Sequence, residues 1–198
     1  MEKRIIAYNE KAAKDMTTLL PFLVRLIGLR DPHGVSHSGH VTELAFDLGR
    51  AAGLNAKELD LLKFAATVHD IGKIAINEFV INKPGKFTEA EYIMVQQHAR
   101  IGATLMRTLD VDPSIHLIVL NHHENFDGTG YPGGTMGDKI PLGARILRIA
   151  DTYDALTSNR GYRPAYSHKK SLGIMESEAR FFDPIMLGLF FKKVVRKH

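Results

Sequence analysis

The sequence predicts an all-α fold, and three observations predict it. Apolar residues recur at helical spacing along nearly every segment. Helix-capping residues stand where those periodic stretches begin, and no segment shows the apolar–polar alternation of a half-buried strand. With 198 residues, 44% of them apolar and 24% charged, the chain suits a single domain. The pattern divides into about seven to nine helices in one bundle.

Taken in order, residues 1–28 read as an N-terminal helical segment ahead of a core over 29–190. Val41, Leu44, Ala45 and Leu48 fall at i, i+3, i+4 and i+7 of a helix that Gly53 can close. Asn55 opens the next, with Glu58 three residues on to complete a capping box. That helix runs through Leu59, Leu62 and Ala66 to His69 and Asp70. Thr88 and Glu91 repeat the capping signal for a helix through Met94, Val95, His98, Ile101 and Leu105. Asp112-Pro113 starts one that ends at His122-His123, proline being suited to the first helical position. Pro141 starts one through Ile146, Ile149 and Ala150 to Leu156, and Ser167 and Asp183-Pro184 start the last two. Two stretches, 72–87 and 124–140, break the pattern and are expected as long loops, which in a compact domain are often functional.

Composition narrows the chemistry. There is no cysteine, so disulfides, zinc–thiolate sites and thiol nucleophiles are excluded. Any metal must be held by nitrogen and oxygen donors, which suit iron, manganese, zinc or magnesium. The start, MEKRIIAYNEKAAKD, is too charged for a signal peptide, and the apolar run from Leu19 to Leu29 is interrupted by Arg25. It also falls well short of the ~20 residues of a membrane span. A soluble cytoplasmic protein with no membrane partner is expected. The net charge of +4 is compatible with an anionic ligand, but no basic–aromatic stripe argues for a nucleic-acid polymer. The basic tail at Lys192, Lys193, Arg196 and Lys197 reads as a solvated helix face.

Ten histidines is a high count, and several sit at informative places. His33 and His37 are four apart, one face of a helix. His69-Asp70 and His122-His123 each close a helix, and His98 lies beside an apolar stripe. Asp151 sits mid-helix next to Ile149 and Ala150, where an unpaired carboxylate is costly and a metal would resolve the cost. One His-Asp dipeptide is a weak signal. Five helices each delivering His or Asp near an end or an apolar face is a strong one, because imidazole is the commonest metal donor. His40, His116, His168 and His198 carry no pattern and read as surface or packing residues.

The ordered set of motifs is more specific still. His69-Asp70-Ile71-Gly72-Lys73 is followed by Lys83-Pro84-Gly85-Lys86, His98 and His122-His123-Glu124. Then come Asp127-Gly128-Thr129-Gly130-Tyr131-Pro132, Asp151 with Tyr153-Asp154-Ala155-Leu156-Thr157-Ser158, and Arg160-Gly161-Tyr162-Arg163. This order resembles the HD-GYP family of cyclic dinucleotide phosphodiesterases over about residues 29–190. The resemblance implies a single HD-superfamily helical domain over 1–198 that uses divalent metals, most often iron or manganese. It implies hydrolysis of cyclic di-GMP to pGpG and on to GMP by in-line attack of metal-activated water. Position by position, it places His37, His69, Asp70, His98, His122, His123 and Asp151 as metal ligands, with Asp70 bridging two ions. Lys73 would contact the scissile phosphate, Gly130 and Tyr131 would line the substrate pocket, and Arg160 and Arg163 would hold the dinucleotide.

The chain departs from the family at Asp31-Pro32-His33-Gly34, where three-metal members carry glutamate at the position of His33. Two metals are therefore expected, with His33 a candidate ligand for a third. The 198 residues hold no recognisable receiver or sensor segment, so the chain is expected to be either a stand-alone enzyme or a piece of a longer one. A homodimer and protein partners in cyclic di-GMP signalling are compatible with the resemblance. Two alternatives stay open. One is a non-catalytic cyclic-dinucleotide-binding or protein-docking module. The other is an HD phosphohydrolase for another nucleotide, such as cyclic GMP-AMP or a nucleoside phosphate.

Overall fold

The computed structural model describes residues 20–26, 28, 34–109, 111–159 and 163–195. Among these the regular elements are helical. Helix α1 spans Gly34–Ala51 and α2 spans Ala56–Val68. A tight 3-10 turn, Ile71–Ala75, and the short α3, Glu78–Ile81, follow. Helix α4 is Glu89–Thr108, α5 is Pro113–Asn121, α6 is Leu142–Thr157 and α7 is His168–Ser177. The last, α8 (Pro184–Leu189), runs into a wider π-helical turn, Phe190–Val194.

The helix starts are made locally. Asn55 accepts from the Glu58 amide at 3.0 Å while the Glu58 carboxylate accepts from the Asn55 amide at 2.9 Å. Thr88 and Glu91 form the same reciprocal pair. Asp112 and Asp183 cap α5 and α8 through the amides of Ser114, and of Ile185 and Met186. Each cap satisfies donors that the first helical turn would leave orphaned. Gly53 takes a positive φ of 86° just past the end of α1, as a C-terminal glycine should.

The stretch 72–87, expected as a loop, contains the 3-10 turn and α3. A four-residue helix is shorter than one repeat of an amphipathic pattern, so periodicity could not announce it. Its start is set by the Asn77 side chain accepting from the Phe79 amide at 2.9 Å.

Helix α1 packs on α2 and α6, α2 on α5, and α4 on α5 and on the Ile71–Ala75 turn. Leu48, Leu62, Ile71, Met106, Ile115, Ile146, Leu147, Ile149 and Phe190 are fully buried between them. Each such side chain contributes about 1.5–3 kcal/mol by leaving water. One contact is set by the lack of a side chain. A Cβ on Gly72 would stand 2.0 Å from the His98 carbonyl oxygen and 2.6 Å from the Gly102 amide nitrogen. Glycine there lets the turn lie flat on α4, and so brings Asp70 beside His98.

Helix α6 has two roles. Ile146, Leu147, Ile149 and Ala150 enter the core, while Arg148, Asp151, Thr152 and Ala155 line a cleft. The latter fall at i, i+3, i+4 and i+7, a single helical stripe. No helix among the described residues is long and apolar enough to cross a membrane.

Candidate metal centre and substrate cleft

Two ligand sets converge at the inner end of that cleft. One groups His37, His69 and Asp70, the other Asp70, His98, His122 and His123, with potential ligand atoms within 4.8 Å of one another in each. Asp70 belongs to both. Its Oδ2 lies 3.3 Å from His69 Nε2 and 3.9 Å from His37 Nε2, while its Oδ1 lies 3.5 Å from His98 Nε2. The two oxygens of one carboxylate therefore face different histidine groups, the arrangement a bridging ligand needs. Asp151 spans the same gap from α6, with Oδ1 3.2 Å from His37 Nε2 and Oδ2 3.9 Å from His123 Nδ1.

The histidine tautomers follow from the backbone. His69, His98 and His122 each place Nδ1 2.6 Å from the carbonyl three residues earlier, those of Ala66, Val95 and Val119. A carbonyl can only accept, so each Nδ1 carries the proton. Nδ1 being committed outward, each ring turns its Nε2 to the centre. His69 Nε2 is buried with no hydrogen-bond partner, 3.3 Å from Asp70 Oδ2. His98 Nε2 and His122 Nε2 lie 3.2 Å apart, close enough for a hydrogen bond. With both Nδ1 protons already committed, this is lone pair against lone pair. Inward lone pairs facing carboxylate oxygens across gaps of 3–4 Å call for a cation between them. The donor set of imidazole and carboxylate, with no sulfur, fits a divalent first-row ion.

The electrostatics agree. Burial pushes the His122 imidazole down to about 3, so it stays neutral and able to ligate. Burial also lowers His98, against the opposing pull of Asp70. For Asp70, burial works to raise the carboxyl, but the Lys73 ammonium holds it well below the usual carboxylate range. His37 goes the other way. Burial alone would lower it, yet hydrogen bonds to Asp151 and Asp154 lift it to about 9.

The cleft outside this cluster has a volume of about 570 Å³, within the usual span for a small-molecule site. Lys73 enters it with Nζ 2.7 Å from Asp70 Oδ2. Tyr131 forms part of its wall, its ring centroid 4.8 Å from that of His123 and 6.3 Å from that of Tyr92. Burial raises the Tyr131 hydroxyl far above its ordinary value, so it keeps its proton.

The loop bearing Tyr131 is held from beneath. Glu124 is buried and its two oxygens accept from the amides of Gly133 at 2.6 Å and Thr135 at 3.1 Å. A Cβ on Gly130 would meet the Asn125 amide nitrogen at 2.2 Å and the His123 carbonyl oxygen at 2.5 Å. Gly130 thus packs the loop onto the His-His-Glu segment and is not among the residues lining the cleft. Arg163 lines the cleft, but its guanidinium donates to the carbonyls of Ala155 at 2.7 Å, Pro164 at 2.9 Å and Leu156 at 3.3 Å. It also lies over the Tyr166 ring, 4.0 Å from the centroid. His33 and Arg160 lie outside the described residues, as do Arg196 and Lys197 of the basic tail.

Sequence reasoning passed over three contributors. Asp154 is buried and accepts from His37 Nδ1 at 2.5 Å, and its other oxygen is 3.2 Å from Nδ1 of His40. Its position three residues after Asp151, on the same helical face, was the available signal. His40, read as a residue without a pattern, therefore belongs to the ring around His37. The third is Arg148, which an isolated arginine beside core positions gave no reason to single out.

The sequence pattern of the HD domain family matches residues 21–186. This chain belongs to the HD domain family. Within that family the HD-GYP resemblance of the motifs stands. The chain is 37% identical over 190 residues to the cyclic di-GMP phosphodiesterase response regulator RpfG of Xanthomonas campestris, covering 93% of this chain and 50% of that protein. It is 36% identical over 152 residues to the 3'3'-cGAMP-specific phosphodiesterase 3 of Vibrio cholerae, covering 77% and 33%. The chain thus spans half the length or less of these curated relatives. Among solved folds, the HD domain of the phosphodiesterase PgpH of L. monocytogenes, in complex with cyclic-di-AMP, superposes with a TM-score of 0.64 at 20% identity. That match covers 85% of this chain and 91% of that one.

Proposed function

We propose that this HD domain is a metal-dependent phosphodiesterase that hydrolyses cyclic di-GMP to pGpG and then to GMP. The observation that carries the reading is Asp70, whose two oxygens face separate histidine groups at the floor of the cleft. The residues fit two divalent ions, iron or manganese by their nitrogen and oxygen donors. His37, His69 and Asp151 would serve one and His98, His122 and His123 the other, with Asp70 shared. When bound, such ions supply Lewis acidity and make water a competent nucleophile at neutral pH.

The chain's own residues do the rest. Lys73 sets a cation beside Asp70, where it can neutralise charge gathering on the non-bridging oxygens of the scissile phosphate. Tyr131, packed on His123 and kept protonated, walls the cleft and offers a hydroxyl donor to substrate. Relatives named as cyclic di-GMP phosphodiesterases support the substrate class, as do relatives named as specific for the mixed cyclic GMP-AMP. The latter keep the mixed dinucleotide as the second reading.

The test is direct. Protein reconstituted anaerobically with Fe²⁺ or Mn²⁺ should convert cyclic di-GMP to pGpG and GMP, followed by ion-exchange chromatography, and Asp70→Ala should abolish turnover. Preference for cyclic GMP-AMP at equal concentration would move the assignment to the mixed substrate. Both dinucleotides left intact with either metal would sink the enzyme reading.

A further inference from the structure

The stripe of α6 that carries Asp151 into the metal cluster also carries Arg148, one turn earlier, into the wall of the cleft. The Arg148 guanidinium is held on three sides. Nε donates to Asn125 Oδ1 at 3.1 Å, Nη1 donates to Thr152 Oγ1 at 2.7 Å, and the group lies over the Phe182 ring, 5.6 Å from its centroid. Both hydrogen-bond partners are neutral. No carboxylate forms an ion pair with Arg148 among the described residues, whereas Arg145 on the same helix pairs with Asp138 and Asp183. Neither named bond uses Nη2. The protein has therefore fixed a guanidinium in the cleft wall and left its charge without a matching anion. Unpaired positive charge at a part-buried site is costly unless a ligand supplies the counter-charge.

A cyclic dinucleotide has two phosphodiester groups in one ring. The group being cleaved must sit at the Asp70–Lys73 end of the cleft, which carries the other toward the wall. Of the two described wall arginines, Arg163 spends both Nη1 and Nη2 on three backbone carbonyls, whereas the named bonds of Arg148 leave Nη2 uncommitted. We propose that Arg148 binds the phosphodiester that is not being cleaved, with Asn125 and Thr152 holding its planar fork in place for bidentate contact. This rests on the phosphodiesterase reading above and names a further substrate-binding residue for it.

The experiment compares wild type, Arg148→Met and Arg148→Lys, each metal-loaded. The substrates are cyclic di-GMP, cyclic di-AMP and bis(4-nitrophenyl) phosphate, a diester with one phosphorus and no nucleobase. Arg148→Met should raise KM about tenfold or more for every cyclic dinucleotide the wild type cleaves. It should change kcat little, and leave kcat/KM on the single diester within about twofold. Arg148→Lys should recover only part of the KM, because it restores charge without the fork. Metal content should equal that of wild type in both variants. Several results would overturn the proposal: an unchanged KM, a parallel loss on the single diester, a loss confined to guanine-containing substrates, or loss of metal. Wild type that cleaves the single diester but no cyclic dinucleotide would instead overturn the functional reading itself, and this inference with it.

Discussion

Asp154 and His37 are joined by a 2.5 Å hydrogen bond from imidazole Nδ1 to carboxylate Oδ2, both groups buried. The bond fixes which nitrogen of His37 turns toward Asp70 and Asp151. It is the carboxylate–histidine relay that orients metal ligands and raises their basicity. With His37 a metal ligand, as proposed, Asp154 is its positioning residue, and Asp154→Asn is expected to lower metal affinity by about 10–100-fold. Metal retained after dialysis against graded chelator would measure it. Affinity within twofold of wild type would show that His37 needs no such partner.

Gly72 is required by contact and not by conformation. Gly72→Ala sets a methyl group 2.0 Å from the His98 carbonyl oxygen, a backbone atom that cannot swing aside. A cost of about 3 kcal/mol is expected, the upper end for overpacking. For a chain of this size that lowers the melting temperature by roughly 6–12 °C. Gly173→Ala is the control, since nothing lies within 4 Å of the added atom in the interior of α7. It should stabilise by about 0.5–1 kcal/mol. Thermal melts of both variants check the pair of signs.

Glu124 accepts two loop amides with its two oxygens. Glu124→Gln replaces one acceptor by an NH₂ that must face an N–H. The expected cost is about 1–3 kcal/mol, the penalty of an unsatisfied buried donor. Hydrogen exchange at Gly133 and Thr135 should quicken in this variant while exchange in α4 does not. Unchanged protection of those two amides would show the loop to be held by other means.

The metal-free protein should be most stable near the ordinary histidine value, about pH 6.5. His37, with burial overcome by Asp151 and Asp154, has its folded value raised to about 9. Its contribution is full below pH 6.5 and is lost as pH rises toward 9. His122, lowered by burial to about 3, has the opposite sign. Its contribution is present above pH 6.5 and is lost as pH falls toward 3, the unfolded chain gaining a proton that the folded one refuses. Urea midpoints in chelator at pH 5, 6.5 and 9 should therefore peak in the middle. Added metal should flatten the alkaline side, because binding displaces the His37 proton at any pH. A midpoint rising steadily from pH 5 to 9 would contradict the His37 environment.

What could be read from the residues was short-range. Asn55 with Glu58 and Thr88 with Glu91 announced their helix starts, because a capping box is made within four residues. His69, Asp70, His98, His122, His123 and Asp151 could be singled out as candidate ligands, because each closes a helix or sits against an apolar stripe. The Glu78–Ile81 helix was not legible, being too short to show a period.

The sequence by itself determined an all-α chain and the inventory of nitrogen and oxygen donors at its helix ends, since periodicity and caps act over one or two turns. Only the tertiary structure decided that each oxygen of Asp70 faces a different histidine group. It also decided that Arg163 turns Nη1 and Nη2 onto carbonyls while the named bonds of Arg148 leave Nη2 uncommitted on the cleft wall. Those outcomes depend on how α1, α4, α5 and α6 meet, and helix phase does not specify which distant side chains share a gap of 3 Å.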